Sequence, residues 1–152
     1  ASLVGSEMCI RDRYHTPFEA YDESEQHEKY PLYHYCERTR WHLHTQYNHA
    51  PVLRELDPEP YLRMNPVDAE PRGIVEGDYV EAYNDRGHCV CKVKFDMGVR
   101  PGMVSSPKGW HRGAYVSGSY QELTNDHLNL LHMNTSFDDT LVEVRKYEGE
   151  VK

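Results

Sequence analysis

The sequence predicts a mainly β protein, a closed or nearly closed barrel with one or two short helices. Short strand-like segments alternate with turn residues along most of the chain, and one pair of them forms a clear hairpin pattern. Twelve Tyr, ten His and nine Pro in 152 residues suit a loop-rich β protein with polar pockets better than a helical bundle. Residues 33–36 (YHYC) read as the first strand, and residues 61–64 (YLRM) as the next. Between them, residues 52–56 form a short apolar piece closed by Asp57-Pro58-Glu59-Pro60. Asn65-Pro66 marks a helix start, because the Asn side chain can accept from an orphan amide and Pro suits the first helical position. Asp68 and Glu70 face the positive end of that helix dipole. Pro71 keeps the helix short, and Gly73 fits the left-handed residue that ends it.

The hairpin joins residues 79–83 (YVEAY) to residues 89–95 (CVCKVKF) through Asn84-Asp85-Arg86-Gly87, where Gly87 is expected at positive φ in a bulged type I turn. Arg86 reads as a solvated turn residue. Arg100-Pro101-Gly102 is a further turn before a strand at 103–105, and residues 107–118 make a Gly-containing loop around Trp110. Residues 123–136 read as polar and irregular, and residues 141–147 (LVEVRKY) as the last strand.

Composition excludes several classes. A net charge of -8 argues against a protein that tracks a nucleic-acid backbone. No apolar run approaches the roughly 20 residues that span a bilayer. Four Cys in no zinc-ribbon or iron–sulfur spacing give neither a disulfide framework nor a cluster site. Cys36, Cys89 and Cys91 read as strand packing. Residues 1–13 (ASLVGSEMCIRDR) differ in pattern from the rest and resemble a translated sequencing-adaptor peptide, so they are read as an artefact and the chain as a fragment. Residues 14–29, acidic and poor in apolar groups, read as a linker or exposed connection, and the domain is placed at 30–152.

Seven segments in order then carry a resemblance: Arg38-Thr39-Arg40-Trp41-His42-Leu43-His44-Thr45-Gln46, Asn65-Pro66-Val67-Asp68-Ala69, Arg72-Gly73-Ile74 with Gly77-Asp78, Asn84-Asp85-Arg86-Gly87, Pro101-Gly102-Met103-Val104, Gly109-Trp110, and Gln121-Glu122-Leu123-Thr124. Over about four-fifths of its length, residues 30–147, the chain resembles the C-terminal domain of the dimethyl sulfoxide reductase family of molybdopterin oxidoreductases. The resemblance implies a double-psi β-barrel with a few short helices. It also implies a role in enclosing a bis-molybdopterin guanine dinucleotide whose dithiolenes hold molybdenum or tungsten. The partners implied are an iron–sulfur electron-transfer subunit and the remaining domains of the same catalytic subunit. The iron–sulfur cluster itself, any protein ligand to the metal and any export signal would lie outside this fragment. The implied location is periplasmic, or membrane-associated through a partner protein, in a prokaryote.

The residue types suit such a cofactor. Arg40 offers the planar, charge-assisted geometry that pairs with phosphate. Thr39 and Thr45 can donate to phosphate or sugar oxygens, while His44, Gln46 and Asn48 offer donors and acceptors for pterin edges. Trp110, beside Gly109, is expected to let a loop lie against a flat ring. Gln121 and Thr124 occupy a position where the family commonly has Asn-x-Leu-Thr; Gln121 keeps the amide on a longer arm.

Other readings compete. His42-x-His44 with His49 and Glu55 resembles a cupin metal set, although the glycine that precedes it in cupins is absent. Gly118-Ser119 invites comparison with self-cleaving pyruvoyl enzymes, but lies late in the chain. A double-psi barrel can also serve only as a protein-interaction module.

Overall fold

The computed structural model describes residues 16–129 and 133–151. The adaptor-like residues 1–13 lie outside the described residues. Nine strands are present among those described: β1 (Leu32–Glu37), β2 (Tyr61–Met64), β3 (Tyr79–Tyr83), β4 (His88–Phe95), β5 (Met103–Pro107), β6 (Ser117–Gly118), β7 (Leu128–Asn129), β8 (Asn134–Thr135) and β9 (Thr140–Lys146). Three short helices accompany them: α1 (Glu25–Lys29), α2 (Pro51–Leu56) and α3 (Pro66–Ala69).

Six strands close into a ring in the order β2-β5-β1-β9-β3-β4, and β4 returns to β2. Two pairs in the ring are parallel, β1 with β5 and β2 with β4, while every other pairing is antiparallel. Two interleaved parallel pairs make this a double-psi β-barrel. β6 pairs with Cys89 and Val90 of β4, beyond the stretch that β2 covers, and β7 and β8 form a separate small hairpin. Closure leaves no long unpaired edge, which removes the usual site of edge-to-edge aggregation.

Alternation explains the core. Leu32 and His34 of β1, Val80 and Ala82 of β3, and Val142 and Val144 of β9 point inward and are buried. Leu62, Met64, Val93, Val104 and Leu123 fill the interior with them. Each large aliphatic side chain taken from water contributes roughly 1.5–3 kcal/mol. Cys89 and Cys91 lie among these residues with buried thiols, and the Cys89 contact together with burial pushes the Cys91 thiol up. They are packing groups.

The helix start at Asn65 is built as the sequence implies. Its side chain accepts from Val67 N at 3.0 Å, Pro66 follows, and Gly73 ends the segment at φ 65. The same Asn65 donates to Val99 O at 2.7 Å, which ties the helix to the turn before β5. Asp68 does more than face a helix dipole, since Oδ2 accepts from Gly102 N at 2.8 Å.

Three local expectations are corrected. Gly87 is not at positive φ. The turn is held by Asn84, whose side chain accepts from Arg86 N and Gly87 N, and a Cβ at 87 would sit 2.8 Å from Glu122 Cβ. Residues 51–56 form a helix with no buried residue. Arg86 is not merely solvated: its guanidinium grips both oxygens of Glu19 at 2.6 and 3.0 Å and donates to Leu123 O. Glu19 also accepts from Leu141 N, and Asp139 accepts from the backbone of Phe18, Glu19 and Ala20. The acidic segment expected as a solvated connection is therefore pinned to the barrel at one end.

One buried polar group makes folding pH-dependent. His34 is almost fully buried, with Nε2 3.0 Å from Ser106 Oγ. Burial lowers its pKa from 6.5 to about 4. Between those values the unfolded chain binds a proton that the folded chain refuses, so stability is lost as pH falls from 6.5 towards 4. Lowering pH from 7 to 5 should remove about 2 kcal/mol through this group. Urea unfolding of the chain and of His34→Gln at both pH values tests this; an equal pH dependence in the two proteins contradicts it.

Candidate functional site

Strand direction creates the site. Because β1 and β5 run parallel, with Glu37 opposite Pro107 as their last pair, the chain leaves both strands at the same end of the barrel. Lys108 N continues the ladder by donating to Glu37 O at 2.8 Å. The segment after β1, residues 38–50, therefore lies against the segment after β5, residues 108–116.

The two segments interlock at Gly109, which has φ +93; a Cβ there would fall 1.9 Å from the carbonyl oxygen of His44. Asn48 is buried over the same glycine and donates from Nδ2 to its carbonyl at 2.5 Å. The upper chain follows this contact through a tight path, with His44 at φ 51 and Tyr47 at φ 69. Left-handed backbone in such residues costs roughly 1–2 kcal/mol each. Local bonds offset it: Gln46 N donates to Leu43 O at 2.9 Å, Thr39 Oγ1 to His42 O at 3.2 Å, and His42 Nδ1 meets His44 O at 3.2 Å. Underneath, His42 Nε2 lies 3.2 Å from Asp57 Oδ2, off the axis of a straight hydrogen bond, with both side chains nearly closed to water. The His42 ring sits edge-on to Trp110 at 5.2 Å, and the Arg54 guanidinium covers the indole at 5.3 Å.

Two clefts open on this platform. The first, about 350 Å³, is lined by Arg38, Thr39, Arg40, Trp41, His44 and Lys108, among others. The second, about 520 Å³, is lined by Cys36, His44, Lys108, Gln121, Thr124 and Phe137, among others. His44 and Lys108 belong to both. No carboxylate lines the first cleft, although the chain as a whole carries a net charge of -8. Arg40 stacks over Trp41 with 5.0 Å from its guanidinium carbon to the ring centroid, a contact that leaves the polar edge of the guanidinium available.

The sequence-predicted residues divide accordingly. Thr39, Arg40 and His44 line the first cleft, and His44, Gln121 and Thr124 the second. Thr124 Oγ1 is engaged with Gln121 O at 2.9 Å. Thr45 and Gln46 are exposed on the turn beside His44 and line neither cleft. Asn48 and Trp110 are buried beneath the platform. Trp110 is only 3% exposed and its ring is covered by His42 and Arg54, so it supports the loop and presents no free face to a flat ring. Arg38 and Lys108, not among the sequence-predicted residues, also line the clefts. Lys108 stands beside the Gly109-Trp110 motif, but its place between two clefts follows from the parallel pairing of β1 and β5.

The metal-barrel alternative finds no support in this geometry. His42 turns towards Asp57, and among the described residues no three His, Cys, Asp or Glu side chains converge as a metal site. Cys36 is half-buried at the second cleft, where burial pushes its thiol up to about 12, far from a reactive thiolate.

These features make the chain a double-psi β-barrel with a loop-built double cleft at one end, cationic in its first half and holding both Lys108 and Asp126 in its second. The chain belongs to the family described as Molydopterin dinucleotide binding domain, whose model matches residues 32–141, the domain found in enzymes of the dimethyl sulfoxide reductase family. It is 36% identical over 123 residues to a candidate dimethyl sulfoxide reductase catalytic chain of Halobacterium salinarum, covering 81% of this chain and 15% of that protein. To dimethyl sulfoxide reductase DmsA of Escherichia coli it is 30% identical over 142 residues, covering 87% of this chain and 17% of that one. The chain thus spans about a sixth of the length of these relatives. Among solved structures, acetylene hydratase from Pelobacter acetylenicus matches with a TM-score of 0.77 at 18% identity, over 89% of this chain and 21% of that one. That likeness shows the fold.

Gly73 and Gly109 separate backbone strain from close approach. Both have positive φ, but a Cβ at 73 meets nothing within 4 Å. Gly73→Ala should cost about 1 kcal/mol. Gly109→Ala should cost at least about 2 kcal/mol and move the amide resonances of residues 42–48. Equal costs in denaturant unfolding, with an undisturbed loop, would sink the interlock.

Proposed function

We propose that this barrel encloses and orients a bis-molybdopterin guanine dinucleotide carrying molybdenum or tungsten, as one domain of a larger oxidoreductase. The observation that carries the reading is the carboxylate-free cationic cleft of an otherwise acidic chain, built from segments within the family match. The donor set fits the group. Arg38 and Arg40 offer guanidinium donors to phosphate. His44 fronts both clefts, and Gln121 and Thr124 offer an amide and a hydroxyl to heterocycle edges. Thr39 lines the first cleft, and Thr45 and Gln46 stand exposed on the turn beside His44. The clefts fall in the usual size range of small-molecule sites.

The bound group supplies two-electron redox or oxygen-atom-transfer chemistry at its metal. The residues of this chain bind, orient and shield. Asn48, Gly109 and Trp110 fix the backbone that carries the donors, and the cations lower the energy of a multiply negative ligand.

Trp41, Leu43 and Tyr47 line the first cleft and are exposed. An apolar rim of this kind favours burial against the remaining domains of the same catalytic subunit. In this reading an iron–sulfur subunit exchanges electrons with the whole enzyme, no nucleic acid takes part, and the enzyme is periplasmic or held at a membrane by a partner. No helix among the described residues is long and apolar enough to cross a membrane.

The test uses the full-length parent from an anaerobically grown host. Its molybdenum, tungsten and guanine-dinucleotide content is compared with that of an Arg40→Ala, His44→Ala double variant. Metal and pterin in the parent, reduced at least tenfold in the variant, are expected. A parent without pterin whose barrel retains zinc or iron would turn the reading to a metal-binding barrel.

A further inference from the structure

The two clefts meet at His44 and Lys108, and only Lys108 carries a permanent charge at that seam. Its backbone is fixed by the donation of its amide to Glu37 O, and its side chain is 21% exposed. The ammonium lies 4.4 Å from the Phe137 ring centroid. Its nearest carboxylate among the described residues, Asp138, is 3.9 Å away, at the outer limit of an ion pair. Asp138 gives its other oxygen to the Cys36 amide at 2.9 Å, so it is anchored to β1. Lys108 is thus held in place, largely covered, and only weakly neutralised.

A dinucleotide concentrates its charge at its middle, in the diphosphate, and carries its ring systems at the two ends. The seam has the matching order: a cation at the junction, Trp41 and Tyr47 on the side of the first cleft, and Gln121, Thr124 and Phe137, with the carboxylate of Asp126, on the side of the second. We propose that the diphosphate of a single dinucleotide lies across this seam on Lys108, with one end of the ligand in each cleft. Arg38 and Arg40 approach it from the first cleft, and His44 covers it from the loop. A lysine suits this place because a compact ammonium on a flexible stem can follow two adjacent phosphates without the fixed fork of a guanidinium. The inference rests on the cofactor-binding reading and adds both a residue and a position to it.

The test is calorimetric titration of the 152-residue chain at low ionic strength with guanosine diphosphate, inorganic pyrophosphate and guanosine. Lys108→Met, which keeps an apolar stem on Phe137, should weaken guanosine diphosphate and pyrophosphate about tenfold and leave guanosine unchanged. Lys108→Arg should restore most of the loss, and Lys94→Met, on β4 and lining neither cleft, should bind as the unaltered chain does. Adding salt should weaken the unaltered chain more than Lys108→Met. Matching thermal melts of the chain and Lys108→Met show that the variant is folded; should it melt early, the comparison between Lys108→Arg and Lys108→Gln decides in its place. Equal pyrophosphate binding with and without the Lys108 charge overturns the assignment while leaving the cofactor reading intact. No binding of either phosphate ligand by the unaltered chain overturns both.

Discussion

The approach of the His44 carbonyl to Gly109 is the contact on which the rest of the site depends. A Cβ at 109 would lie 1.9 Å from that oxygen, so the loop after β1 reaches its position only because position 109 has none. Once seated, the loop turns His44 and Tyr47 into left-handed backbone and leaves Asn48 buried against the same glycine. The strain of two such residues is offset by the Thr39, His42, Gln46 and Asn48 bonds. That network sets where His44 stands, and His44 is common to both clefts.

The barrel supplies the platform for this contact. In open sheets, ligands gather where parallel strands present their carboxyl ends, since the loops that follow them emerge together. β1 and β5 reproduce that arrangement inside a closed ring, with the Glu37 and Pro107 pair at its rim. β4 and β6 bring the 3-10 turn Tyr120–Glu122 to the second cleft, which adds Gln121 and Thr124. At the rim, Glu37 is met by Arg63 at 3.3 Å and accepts from Tyr61 Oη at 3.2 Å and Ser105 Oγ at 3.0 Å, so the end of the β1 ladder is held from three sides. The charge on the first cleft is local: Arg38, Arg40 and Lys108 line it without a carboxylate, in a chain whose net charge is -8.

Much of the fold is legible in the sequence because its signals are local. The strands near 33, 61, 79, 89, 103 and 141, the Asn65 cap and the left-handed Gly73 all depend on residues a few positions apart. What is not legible depends on distant partners. Gly87 reads as a positive-φ residue, yet its lack of a Cβ matters because Glu122 packs on it. Arg86 reads as solvated until Glu19 arrives from the acidic segment that precedes the barrel. Trp110 reads as a ring platform, but the His42 and Arg54 that cover it come from another loop. Lys108 gives no signal of its own, since only the parallel register of β1 and β5 places it beside His44. The ordered family resemblance picked out the loops that line the two clefts; which of their side chains face a cleft depends on three-dimensional contacts.

The most direct measurement of the central claim is an amide-resolved NMR titration of the chain with guanosine diphosphate. Shifts are expected to concentrate in residues 38–48, 108–110 and 120–125, the three segments that line the two clefts. Shifts centred instead on the turn at 100–102 or on residues 66–73, or no shifts at any site, would contradict that claim.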